Sequence, residues 1–175
     1  MSSPKQLIEG FQRFRERSFA DDDAQFHDLV QFGQTPSMLV VGCCDSRVDP
    51  ALILDCAPGD LFVIRNVANL VPPAENQGHY HGTSAALEFG VRNLAVQHII
   101  VLGHAQCGGI HALLEGGVAK DDSFIAEWMR IADAAREHTE QELAGASSEV
   151  RHRACEQQAI PVSYTHLAIR KEATF

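Results

Sequence analysis

Met38-Leu39-Val40-Val41-Gly42-Cys43-Cys44-Asp45-Ser46-Arg47 and His98-Ile99-Ile100-Val101-Leu102-Gly103-His104-Ala105-Gln106-Cys107-Gly108-Gly109 are built alike. Each opens on a short apolar run that reads as a buried parallel strand. Each run ends in glycine and then offers a metal-binding side chain, Cys43 in the first and His104 in the second. In open α/β sheets ligands bind in the crevice beyond the carboxyl ends of the strands, so both side chains arrive at one functional edge. Cys107 adds a second thiol in a His-x-x-Cys step, and Gly108-Gly109 leaves room for a close turn into a helix expected from near Ile110.

Two thiolates and an imidazole suit Zn(II), and three protein ligands leave the fourth tetrahedral position open to water. A thiolate at Cys107 also gains from the exposed N–H groups of the helix that follows. The competing reading is a set of ordinary buried cysteines and a core histidine, since free cysteine is among the most buried residue types. One strand end would not separate these readings. Two strand ends, one of them carrying Asp45-Ser46-Arg47, favour the metal site.

The pattern Cys43-x-Asp45-Ser46-Arg47 followed by Gly103-His104-x-x-Cys107-Gly108-Gly109 resembles the β-class carbonic anhydrases. The stretches Gly59-Asp60-Leu61-Phe62-Val63-Ile64-Arg65-Asn66-Val67-Ala68-Asn69 and Gly82-Thr83-Ser84-Ala85-Ala86-Leu87-Glu88-Phe89 resemble segments of the same family. The resemblance is specific over residues 34–114 and extends more weakly over 4–167. It implies an α/β fold with a central, mainly parallel sheet flanked by helices and zinc at the C-terminal ends of the strands. The implied reaction is the reversible hydration of carbon dioxide to bicarbonate and a proton, with one Zn(2+) per subunit held by Cys43, His104 and Cys107.

A zinc ion with two thiolates is formally neutral and should acidify water less than a three-histidine site does, so a further group must help. Asp45 and Arg47 are the candidates: the carboxylate would orient the attacking water while the guanidinium holds it ionised and in place. The resemblance also allows Asp45 to turn away from Arg47 and become a fourth zinc ligand in a closed state. Val40 stands where members that lock that state with bicarbonate carry tryptophan, which favours the open form here. Arg65, which would meet bicarbonate in those members, has a plainer role available as a carboxylate partner. Gln34, Phe62, Val67, Tyr80 and the backbone N–H of Gly109 match the family's substrate pocket. Part of that pocket comes from a neighbouring subunit, so a homodimer or higher homo-oligomer is expected, with carbon dioxide or bicarbonate as the small-molecule partner.

The 175 residues suffice for one domain with a real core, and 45% hydrophobic with 21% charged residues is ordinary for a globular protein. A net charge of −9 disfavours nucleic acid and anionic membrane surfaces as partners. No apolar run is long enough to span a membrane and no N-terminal signal pattern is present, so the expected compartment is the cytoplasm. The five cysteines do not form a disulfide framework, and Cys56 and Cys155 are expected to be inert.

Residues 1–33 read as an N-terminal helical arm, 34–115 as the zinc-binding core, 120–167 as C-terminal helices and 168–175 as an atypical tail, together one domain. Ser3-Pro4 is an N-cap signal for the first helix, with Leu7, Phe11 and Phe14 as its apolar stripe, directed either at a neighbouring subunit or at its own core. A second helix is expected over 22–32, a short one after Asp49-Pro50, a strand over 61–65, and helices over 83–94, 121–138 and 147–167. Strands alternating with helices imply crossovers and a parallel sheet. Pro161 should kink or end the last helix. Family members usually continue into a further edge strand, so that strand is expected to be missing here, with truncation or splicing favoured over a naturally short form.

Three other functions share some of these features. Hydrolysis of carbon disulfide or carbonyl sulfide would use the same scaffold, a structural zinc protein would fill the fourth position permanently, and a redox protein would use the adjacent Cys43 and Cys44. His79, His81, His111 and His138 could shuttle protons, but their spacing does not set them apart from solvated histidines.

Overall fold

Strands β1 (Met38–Cys43), β2 (Leu61–Asn66) and β3 (His98–Leu102) form a parallel sheet in the order β2-β1-β3, with Met38 level with both Leu61 and His98. The computed structural model describes residues 3–19, 24–74, 81–116 and 123–172. Around the sheet run α1 (Pro4–Ser18), α2 (Ala24–Phe32), α3 (Pro50–Ile53), α4 (Gly82–Arg92), α5 (Gly108–Leu114), α6 (Phe124–Met129), α7 (Asp133–Glu142) and α8 (Ser148–Glu172). The α/β architecture with a parallel sheet and flanking helices is therefore as the sequence implies. Among the described residues the sheet has three strands, and β3 is an edge.

The central strand is apolar because it is covered on both sides: Leu39, Val40 and Val41 are fully buried. Leu39 and Val41 share a face with their register partners Phe62 and Ile64, where Leu87 of α4 and Val71 complete one core cluster. Burial of each such side chain contributes about 1.5–3 kcal/mol. A second cluster, with Cys43, Ala68, Leu70, Cys107, Ile110, Met129 and Cys155 among its members, lies under the ends of β1 and β2. It is the floor of the candidate site.

The arm begins as the sequence indicates, with Ser3 and Gln6 capping each other's backbone N–H groups and Pro4 at the first helical position. Phe14 packs against Phe11, Phe19 and Phe26, which joins α1 to α2. Leu7, Ile8 and Phe11 are nonetheless 60–65% exposed, so the leading part of the apolar stripe is not covered by the described residues.

Two helical expectations need correction. The single helix expected over 121–138 is broken: α6 ends at Met129, a 3₁₀ turn spans Arg130–Ala132, and α7 starts at Asp133. The tighter turn has a period of three, and it brings Met129, Ala132 and Ala135 onto the core together. In the other case the end allowed for at Pro161 is not found, since the helix runs on through it to Glu172. Pro161 and Gln157 both face solvent, so the carbonyl left without its helical donor can be hydrated, while Cys155, Ala159 and Ser163 hold the opposite face in the core. The part of α8 just beyond Pro161 is held against the core. Ser163 Oγ accepts from the Val71 N–H at 3.0 Å, and His166 Nδ1 lies 2.7 Å from the Val71 carbonyl.

Candidate metal centre

β1 delivers Cys43 at its last residue, and the turn between β3 and α5 delivers His104 and Cys107. Their ligand atoms all lie within 4.8 Å of one another. Both cysteines are buried. The His104 ring has its Nδ1 3.0 Å from the Ala105 carbonyl, which places the proton there and leaves Nε2 as a lone-pair donor. That Nε2 is buried without a hydrogen-bond partner. A hydrogen bond from the Cys107 thiol holds Cys43 well below its ordinary pKa against the opposing effect of burial, and backbone N–H groups at Asp45 and Ala68 add to it. Cys107 is pushed up in turn by holding that shared proton and by burial. A thiolate, a second thiol and an orphaned imidazole nitrogen are a donor set that fits a zinc-like cation.

Beside this cluster Asp45 is fixed by Arg47. Oδ1 accepts from the Arg47 backbone N–H and Nε, each at 2.9 Å, and Oδ2 accepts from Nη2 at 2.8 Å. Those bonds hold the Asp45 carboxyl far below the usual carboxylate range. Arg47 is fixed in turn by the second motif, because Nη2 donates to the Gln106 carbonyl at 2.9 Å. Gln106 adopts a left-handed backbone, φ 56°, which costs a non-glycine residue about 1–2 kcal/mol. The turn that separates His104 from Cys107 is thereby the one that presents its carbonyl to Arg47.

Two further contacts set the ligands. Glu156 of α8 accepts from the Cys107 backbone N–H at 2.9 Å, capping α5 at the ligand itself. Asn66 ties its side chain to both the N–H and carbonyl of Leu70, closing the turn in which Ala68 and Asn69 are left-handed, while its own carbonyl accepts from the Cys44 N–H. Sequence reading missed Gln106 and Glu156. Gln106 had one available signal, its place between two ligands; Glu156 had none, since its partner lies 49 residues away.

Among the described residues expected to form the substrate pocket, Gln34 and Phe62 do not join Val67 and Gly109. Val67 and Gly109 do meet beside the ligands: a Cβ on Gly109 would fall 2.8 Å from Val67 Cγ1 and 3.2 Å from Ala68 Cβ, so only glycine fits. Phe62 instead belongs to the cluster under α4, its ring 5.9 Å from that of Phe89, and Gln34 is exposed in the segment before β1. Tyr80, like His79, lies outside the described residues. From Val67 an open groove of about 970 Å³ runs between Pro72-Pro73 and α6, lined by Phe124, Ile125 and Trp128. Trp128 secures that wall by donating to the Val67 carbonyl at 2.8 Å.

The family pattern described as carbonic anhydrase matches residues 38–173, and the β-carbonic anhydrase CcaA superposes with a TM-score of 0.85 at 34% identity over 93% of this chain and 72% of that one. The chain belongs to the β-carbonic anhydrase family. Its similarity to curated relatives is of the same order: 39% identity over 158 residues to β carbonic anhydrase 5, chloroplastic, and 37% over 159 to β carbonic anhydrase 6, mitochondrial, both of Arabidopsis thaliana. Each alignment covers 90% of this chain and 52% or 54% of the relative, so the chain spans about half the length of the curated relatives it matches. Two tetrameric β-carbonic anhydrases of Sordaria macrospora are represented among the solved structures at 29% identity and a TM-score of 0.74, over 93% of this chain and 79% of theirs. No helix among the described residues is long and apolar enough to cross a membrane.

Proposed function

We propose that this chain catalyses the reversible hydration of carbon dioxide to bicarbonate and a proton, with one Zn(2+) per subunit held by Cys43, His104 and Cys107. The observation that carries the reading is the convergence of those three donors beside an Asp45 carboxylate already engaged by Arg47. When bound, zinc would supply Lewis acidity that lowers the pKa of water, though less than a three-histidine site would. Asp45 accepts a hydrogen bond from the attacking water and orients it, and Arg47 keeps the carboxylate ionised and away from the metal. Val67 offers carbon dioxide an apolar wall, and the Gly109 N–H offers its oxygen a donor.

The placement of Gln34 and Phe62 away from Val67 and Gly109 supports a site completed by a second copy, whose Gln34, Phe62 and Tyr80 would close the groove beside Val67. The exposed Leu7, Ile8 and Phe11 of the arm are consistent with the same arrangement, a homodimer or a larger assembly. The proposed compartment remains the cytoplasm. The relatives are named for the chloroplast and the mitochondrion, so imaging of the natural chain in its own cell decides it.

Zinc stoichiometry and carbon dioxide hydration, measured on one preparation of known oligomeric state, test the activity. One zinc per chain with hydration well above the uncatalysed rate is expected. A fully loaded, oligomeric protein without hydration activity would sink the reading.

A further inference from the structure

The Arg65 side chain leaves β2 beside Gly42, its register partner on β1, and spends its donors on the loop that follows Cys43. Nε donates to the Cys43 carbonyl at 2.9 Å, Nη2 to the Asp45 carbonyl at 2.7 Å, and Nη1 to Asp49 Oδ2 at 2.7 Å. The two carbonyls belong to the first metal ligand and to the carboxylate residue paired with Arg47. One planar group therefore spans both ends of the Cys43-Cys44-Asp45 segment. Asp49 reaches Arg65 because Gly42 has no side chain: a Cβ there would lie 3.2 Å from Pro50 Cγ, so Pro50 seats against the strand and carries Asp49 with it. Asp49 Oδ1 meanwhile accepts from the Leu52 N–H and caps α3, which fixes the carboxylate independently of Arg65.

We propose that Arg65 is the positioning residue of the first ligand loop. Held at both carbonyls, the segment keeps one path, with Cys43 Sγ facing His104 and Cys107 and the Asp45 side chain within reach of Arg47. With its main chain pinned, Asp45 can leave Arg47 only by turning about its side-chain bonds. Freed of Arg65, the whole loop could carry the carboxylate towards the ligands. A lysine would keep the charge and lose the fork, because an ammonium cannot reach two carbonyls and a carboxylate in one plane. The inference rests on the reading of Cys43 as a metal ligand but not on the identity of the substrate.

The test uses the full chain with Arg65→Lys and Arg65→Ala, the lysine variant standing if the alanine variant does not fold. Amide exchange of residues 44–48, followed by mass spectrometry with and without zinc, should quicken at least tenfold in both variants while β1 and β3 keep their protection. Zinc affinity, by chelator competition, should fall about 10–100-fold, as it does when groups behind metal ligands are removed. In hydration assays kcat should fall while KM stays constant, since Arg65 does not touch substrate. A folded variant with parental exchange at 44–48 and parental zinc affinity overturns the proposal, as does exchange that rises equally throughout the sheet. If the parent protein binds zinc and hydrates nothing, the functional reading fails, while exchange and zinc affinity still decide the role of Arg65.

Discussion

Both carboxylate oxygens of Asp45 are taken by Arg47, Oδ1 at 2.9 Å and Oδ2 at 2.8 Å, so the side chain that could most readily compete with water at the candidate centre is held by its neighbour two residues on. The pair is partly open to solvent, so its weight lies in orientation more than in stability. Gln106 extends the lock into the second motif.

Replacement of Arg47 by alanine should leave zinc bound and reduce hydration about tenfold or more, in keeping with the few kcal/mol that one positioned catalytic hydrogen bond contributes. The freed Asp45 carboxylate can then enter the coordination sphere. Asp45→Asn should lose activity differently, because a neutral amide is a poor fourth ligand and water keeps its place. X-ray absorption of the two zinc proteins separates the outcomes. Unchanged turnover and open coordination in Arg47→Ala would leave the pair with a structural role only.

Cys43→Ala, His104→Ala and Cys107→Ala should each abolish stoichiometric zinc and hydration. Elemental analysis after gel filtration provides the check, and any one variant with full zinc and near-parental turnover would remove that residue from the ligand set. Their effects on the metal-free fold should differ. His104→Ala removes a buried nitrogen that has no partner, whereas Cys107→Ala removes the thiol that shares its proton with Cys43.

The ligand set was legible because it needs only two strand ends and a short step between residues, and local pattern carries both. Asp45 and Arg47 were legible for the same reason. Where the expected pocket residues would lie was not legible: Phe62 alternates with its neighbours onto the face under α4, whereas Val67 follows the far end of the same strand. Pro161 does not end α8 because its cost depends on which side of the helix loses a donor, and that side faces water. The break at Arg130–Ala132 follows from which residues the core accepts, a tertiary preference invisible in a continuous helical pattern. Gln106 acts through a main-chain carbonyl and a left-handed φ, neither of which its side chain announces.

Burial pushes the Cys155 thiol up. The sign follows: the folded state holds this proton to higher pH than the unfolded chain, whose thiols ionise near about 8.5. Stability from this group is therefore complete below that pH and falls as pH rises through the window above it, with a slope approaching at most about 1.4 kcal/mol per pH unit. Urea denaturation of the metal-free protein under reducing conditions, from neutral to strongly alkaline pH, should show a shallower decline in Cys155→Ala than in the parent. Parallel declines would mean that Cys155 does not contribute.

Gly108 and Gly109 are adjacent in the first turn of α5 and should respond to alanine with opposite signs. At Gly108 a Cβ meets nothing within 4 Å, so alanine gains helix propensity and reduces the freedom of the unfolded chain, about 0.5–1 kcal/mol in favour of the fold. At Gly109 the same gain is opposed by Val67 Cγ1 at 2.8 Å, Ala68 Cβ at 3.2 Å and Met129 Sδ at 3.4 Å. Val67 is β-branched and stiff about its first side-chain bond, and Ala68 sits in a left-handed turn closed by Asn66, so neither yields easily. Overpacking of this kind costs about 1–3 kcal/mol, which outweighs the helical gain. Urea midpoints of the two metal-free variants should thus lie on either side of the parent. Gly109→Ala should also reduce hydration, because any relief of the contact displaces Val67 or the Gly109 N–H from beside the ligands. A Gly109→Ala protein as stable and as active as Gly108→Ala would show that α5 does not approach the Val67 turn this closely.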